Sequence, residues 1–144
     1  MGTQATEHSA VIAASAQACF DALSDFESYP EWQSSVKECT VLDRGDDFAL
    51  VETITDIKVR DVRYVLRYRF DRPGRLWWDY VEGDARDVTG DFLLEDLGDG
   101  TARATYRIAV DPGRFVPGPL ARLVAREGTR RAVDDLRARV EPGA

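Results

Sequence analysis

"SAQACFDALSDFESYPEWQSSVKECTVLDR", residues 15–44, changes its apolar periodicity twice, and the fold class follows from those changes. Ser15 stands where an N-cap belongs, with a hydroxyl able to take a free N–H of a first helical turn. Ala18, Cys19, Ala22 and Leu23 follow at helical spacing. Pro30 then stops any long helix, because it lacks an N–H and disfavours helical geometry at Tyr29. The element it interrupts, "DFESYPEW" at residues 25–32, is expected to be a turn or a second, short helix. It carries Phe26, Tyr29 and Trp32 where an ordinary surface connection would carry Gly, Ser and Asn, so its rings are expected to plug something. From residue 35 the pattern becomes period two and stays so for about seventy-five residues.

The clearest strand is "DVRYVLRYRFDR", residues 61–72. Val62, Tyr64, Leu66, Tyr68 and Phe70 face one way; Arg63, Val65, Arg67 and Arg69 face the other, which gives one buried and one wet face. "TARATYRIAV" (101–110) repeats the pattern, and "EHSAVIA" (7–13) shows a weaker version. Turn signals at "RGDD", "DRPGR" and "LGDGT" mark hairpins, whereas "KVRD" (58–61) has none, which leaves that boundary open. "FALVETITDIKV" (48–59) permits two registers. One buries Leu50, Glu52, Ile54 and Asp56; the other buries Val51, Thr53, Thr55 and Ile57 and is expected, because it keeps both acids in water. Residues 119–141, "PLARLVAREGTRRAVDDLRARVE", form one long helix, roughly 34 Å if continuous, with Gly128 as its only breaker.

This order makes an α+β domain: a strand, a helix pair, about six antiparallel strands and a terminal helix. A twisted sheet curls, and one helix cannot fill its concavity. Tyr64, Tyr68, Phe70, Trp78, Tyr80, Phe92 and Tyr106, all on inward positions, are expected either to fill the remaining space or to wall a pocket. Gly128 costs about 1 kcal/mol relative to alanine and is read as making room between helix and sheet or as letting the two pack closely.

The 144 residues suit a single domain spanning 1–144. A net charge of −7 disfavours nucleic acid and anionic membranes as partners. Seven arginines between Arg114 and Arg139, against Glu127, Asp134 and Asp135, read as a solvated helix face. No stretch approaches eighteen consecutive apolar residues, and the N-terminal residues lack a secretory pattern, so a cytoplasmic protein without a membrane span is expected. Cys19 and Cys39 fit neither a redox pair nor a zinc half-site, and His8 is the sole histidine. Neither metal nor cofactor is expected, and the protein is expected to be a monomer or weak homodimer.

"VIAASAQACFDALSDFESYPEWQSSVKECTVLDR" (11–44), with its helix, "DFxxYPxW" element and "VKExxVL" strand, resembles the START-like (SRPBCC) superfamily in its polyketide cyclase/dehydrase and coenzyme Q-binding branch. "GDFLLEDLGDGTARATYRIAVDP" (90–112) and the last helix extend the resemblance over almost the whole chain. It implies the helix-grip fold, a seven-stranded antiparallel sheet curved round a long C-terminal helix, with two short helices after the first strand. It also implies a hydrophobic cavity for a lipid, quinone or aromatic polyketide. Trp32, Tyr64, Leu66, Tyr68, Trp78, Tyr80, Phe92, Tyr106, Val124 and Gly128 are the ligand contacts it leads us to expect. Tyr29 and Trp32 would close one end, while Phe26 would staple the short helix to the core. The alternative it implies is an aromatase/cyclase or dehydratase in the same cavity, with Tyr64, Tyr106, Glu52 and Arg131 as catalytic candidates. Glu127 and Arg131, one helical turn apart, are expected to form a structural ion pair.

Overall fold

Ser15 does cap the first helix: its Oγ accepts the N–H of Ala18 at 3.1 Å, and α1 (Ala16–Ser24) begins there. The computed structural model describes residues 4–58, 60–111 and 118–142, with backbone alone for residue 4, residues 118–121, Leu123 and Val124. One face of α1 buries Ala16, Cys19, Phe20 and Leu23. Full burial of Phe20 and Leu23 is worth about 1.5–3 kcal/mol each. A 3-10 turn (Phe26–Ser28) and the single turn α2 (Tyr29–Trp32, Pro30 in its first turn) follow, so "DFESYPEW" is a short helix after all.

The strands are β1 (Gln4–Ile12), β2 (Val36–Arg44), β3 (Phe48–Asp56), β4 (Asp61–Asp71), β5 (Arg75–Gly83), β6 (Asp87–Asp96) and β7 (Ala102–Asp111). They make one antiparallel sheet in the order β1-β7-β6-β5-β4-β3-β2. β1 and β2 therefore lie at opposite edges, and α1 and α2 carry the chain from one to the other. The long helix α3 (Gly118–Val140) packs against β1, β7 and α1, with Val133 and Leu136 fully buried. This is the helix-grip arrangement. No helix of the described residues is long and apolar enough to cross a membrane.

The β3 register is the expected one. Ala49, Val51 and Thr53 are buried, and Glu52 lies on the other face, ion-paired with Arg63 of β4 at 2.7 Å. The unmarked turn between β3 and β4 is closed by a side chain. Asp56 Oδ1 accepts the N–H of Lys58 at 2.7 Å, and Lys58 takes φ +82° without being glycine.

Gly128 differs from expectation. It is exposed, and a Cβ added there would meet nothing within 4 Å, so it makes no room over the sheet. The expected consequence is that Gly128→Ala stabilises the protein by about 0.5–1 kcal/mol, since only helix entropy changes. Urea unfolding would check this; a loss of stability would mean that the position must stay without a side chain.

Candidate ligand cavity

The site lies where the concave faces of β3 to β7 meet α2 and the middle of α3. The cross-strand partners Thr53 and Tyr64, Tyr68 and Trp78, and Phe92 and Tyr106 place their side chains on that face. Together with Tyr29, Gln33, Val36, Leu66, Leu76, Val88, Ile108 and Ala132 they enclose a cavity of about 80 Å³. That is roughly half of the ~150 Å³ that admits a benzene molecule. The rings that border it stand close together. Centroid separations are 5.4 Å for Tyr68–Trp78, 5.7 Å for Trp78–Tyr106 and 4.7 Å for Phe92–Tyr106, all tilted contacts.

None of the described lining residues carries a charged side chain. Polarity comes from ring tips and small groups. The Tyr29 hydroxyl donates to the Leu23 carbonyl at 2.5 Å, and Tyr64 shares a 2.8 Å hydrogen bond with Thr55. Among the described residues, no hydrogen bond takes up the hydroxyls of Tyr68 and Tyr106. The indole N–H of Trp78 is buried and also without a partner. Burial pushes the Tyr68 and Tyr106 phenols well above their ordinary pKa, so both stay neutral donors across the physiological range. Burial also raises Tyr64, against the opposing hydrogen bond from Thr55. Among the described residues, no group of three His, Cys, Asp or Glu side chains could hold a metal ion.

Of the expected ligand contacts, Tyr64, Leu66, Tyr68, Trp78, Phe92 and Tyr106 border this cavity. Tyr29 borders it, but Trp32 does not. The Trp32 indole donates to Ser28 Oγ at 3.0 Å and lies edge-on to Tyr29 at 5.3 Å, so it fastens α2 rather than closing the cavity. Phe26 is fully buried against Tyr68, 4.6 Å between centroids, as a staple should be. Phe70 is off the cavity wall, stacked on Phe26 and edge-on to Phe20. Tyr80 is turned to the β5–β6 connection, where its hydroxyl donates to the Ala85 carbonyl at 2.7 Å. The side chain of Val124 lies outside the described residues.

Glu52 is excluded from the cavity by its register, and Arg131 is not among the lining residues. Glu127 pairs with Arg130 at 3.4 Å and not with Arg131, because on a helix the i+3 neighbour is as near as the i+4. Gln33, Val36, Leu76, Val88, Ile108 and Ala132 complete the lining without having been singled out. Leu76, Val88 and Ile108 share the period-two phase of Trp78, Phe92 and Tyr106, a signal that a search for rings passes over.

Tyr29→Phe removes a buried hydrogen bond and strands the Leu23 carbonyl. It is expected to cost about 1–2 kcal/mol in urea unfolding. A change below a few tenths would mean that water replaces the bond.

A model of the family described as "polyketide cyclase / dehydrase and lipid transport" matches residues 3–141. No curated protein matches the sequence. Among solved structures, a START superfamily protein from Mycobacterium smegmatis superposes with a TM-score of 0.84 at 22% identity, over 94% of this chain and 96% of that one. The Zhui aromatase/cyclase from Streptomyces sp. R1128 gives 0.86 at 14% identity, over 96% and 93%. A STAR-related lipid transfer protein fragment from Xanthomonas axonopodis gives 0.84 at 15% identity, over 94% and 85%. At these identities the likeness is one of fold.

Proposed function

The chain belongs to the polyketide cyclase/dehydrase and lipid transport family, and on that premise we propose that it binds a hydrophobic small molecule, such as a lipid, quinone or aromatic polyketide, between the sheet, α2 and α3. The observation that carries this reading is a cavity whose described lining is largely apolar and uncharged and which holds one buried donor without an acceptor, the Trp78 N–H, beside the Tyr68 and Tyr106 hydroxyls. An apolar ligand gains roughly 25 cal/mol per Å² buried, and an oxygen on it would satisfy a donor left idle in the closed form. Such ligands exceed the closed cavity, so binding displaces lining rings.

A cyclase would use the same groups, with the neutral Tyr106 phenol polarising a carbonyl. It would also need a base, and none of the lining residues described is a carboxylate, histidine or lysine. Carriage is therefore placed first. Turnover of a poly-β-ketone that fell about a hundredfold in Tyr106→Phe, with binding retained, would replace it with the cyclase reading.

Native mass spectrometry and thermal shift with fatty acids, quinones and aromatic polyketides test the proposal. One class is expected to bind at one molecule per chain, and Ala132→Leu, which adds three carbons to the cavity wall, is expected to abolish binding. Failure of all three classes to bind would refute it.

A further inference from the structure

We propose that the crevice between β1 and α3 binds a phosphoryl group, which Arg126 and Arg130 hold from the helix and His8 from the strand. The crevice has a volume of about 200 Å³. None of the described residues that border it borders the inner cavity, so the proposal stands apart from the ligand-binding reading above.

The strand and the helix build its floor together. Alternation puts Thr6 and His8 of β1 on the face that carries the fully buried Ile12, towards α3, and Glu7 on the opposite face, across from Arg107. On α3 the buried Thr129 meets Thr6. The two hydroxyls share a hydrogen bond, and Thr129 Oγ1 donates to the Ala125 carbonyl at 2.7 Å. Thr129 has one hydroxyl proton and gives it to Ala125, so Thr6 is the donor of the pair. Both protons are then spent, and these two side chains offer a ligand no donor.

The donors stand on the walls. Arg126 and Arg130 lie one turn apart on α3, on either side of Thr129 in the chain, and both border the crevice. Among the described residues, Arg126 and His8 make no hydrogen bond or ion pair. Arg130 meets Glu127 through one Nη2 donor at 3.4 Å, with 64% of its side chain exposed. An exposed pair at that distance is worth little, and most of the Arg130 fork stays available. Two guanidinium groups against one carboxylate leave the helix wall positive, in a chain of net charge −7. The arginine run that reads from sequence as a solvated face thus has two members set at a crevice.

The placing of the donors on two walls decides the ligand class. A carboxylate is planar and is met by a single guanidinium fork from one side. A phosphoryl group presents oxygens in several directions and accepts from α3 and β1 at once, with His8 supplying a ring N–H in either tautomer. At a share of about 30 Å³ for each water molecule, the crevice has room for the five heavy atoms of a phosphate. A free phosphate ester and a lipid headgroup carry the same group.

Titration of the full chain with sodium phosphate, at constant pH and ionic strength and followed by NMR, tests the proposal. The ring signal of His8, the one histidine of the chain, is expected to shift and to saturate at one phosphate per chain, and acetate is expected to bind about tenfold more weakly. The double variant Arg126→Gln/Arg130→Gln changes exposed positions and is expected to lose about tenfold or more in phosphate affinity. Cosedimentation with vesicles of phosphatidylcholine containing phosphatidic acid, abolished in the double variant, would identify the source as a lipid headgroup. Phosphate binding without cosedimentation would identify it as a free phosphate ester. No response of His8 to phosphate, equal affinity for acetate, or an affinity unchanged in the double variant would each overturn the proposal, as would vesicle binding without a phosphate response.

Discussion

Alanine at position 90 is expected to cost about 3 kcal/mol of stability and to lower the melting temperature by about 8 °C. The added Cβ would stand 2.5 Å from the carbonyl oxygen of Arg107 and 2.8 Å from the Trp78 indole. Neither is the loose end of a flexible chain. The first is backbone of β7, in the ladder that pairs Gly90 with Ile108, and the second is a buried ring. Relief requires β6 to move off β7 or Trp78 to leave its place, and each sacrifices packing that a methyl group cannot replace. Calorimetry and urea unfolding measure the loss. A change under 0.5 kcal/mol would mean that β6 relaxes freely between its neighbours, contrary to this tight approach. The contrast with Gly128→Ala, expected to stabilise, isolates the cause, because the two changes add the same atom to open space and to occupied space.

The second large effect concerns the outer face, where Asp91 is only 4% exposed. Arg107 Nε donates to it at 2.8 Å, and Arg75 donates from Nε and Nη2 at 3.2 and 3.1 Å. Burial by itself would raise the Asp91 carboxyl, but the hydrogen bonds from Arg107 and Arg75 outweigh it and hold the group below the usual carboxylate range. A folded pKa depressed in this way contributes stability above the unfolded value of about 3.9, and that contribution is lost as pH falls through the folded value. Changing both Arg75 and Arg107 to Met keeps their apolar stems and leaves the carboxylate buried alone. Its pKa then rises, and the sign of the linkage reverses. The double variant is expected to lose about 2–3 kcal/mol at pH 7, less than for a fully buried pair because both guanidinium groups are nearly half exposed. It should recover part of this near pH 4, where the acid is neutral. Adding Asp91→Leu should restore most of the loss at pH 7. Equal losses at both pH values would show that the arginines stabilise by packing alone.

Much of the fold could be read from residues whose cost is local. Ser15 and Pro30 bound helices by their own backbone chemistry, and the β3 register followed from the penalty of burying Glu52 and Asp56. What escaped depends on neighbours remote in sequence. The lack of a contact partner at Gly128 is set by the roll of α3 about its axis, and helical periodicity alone leaves that roll open when a glycine interrupts the apolar stripe. Trp32 and Tyr80 have the right residue type for a ligand wall, yet Ser28 Oγ and the Ala85 carbonyl claim their polar ends. The pairing of β5 with β6 stops at Trp78 and Gly90, a limit that strand patterns do not encode. The turn at Lys58 lacked its glycine because an aspartate side chain closes it instead.

The central claim is that a hydrophobic molecule sits inside this protein, and methyl NMR tests it most directly. Titration with decylubiquinone, a long-chain fatty acid or an aromatic polyketide should, for at least one of them, shift Leu66, Leu76, Val88 and Ile108 together, saturating at one ligand per chain. Shifts confined to exposed methyl groups, or none with any of the three, would contradict it.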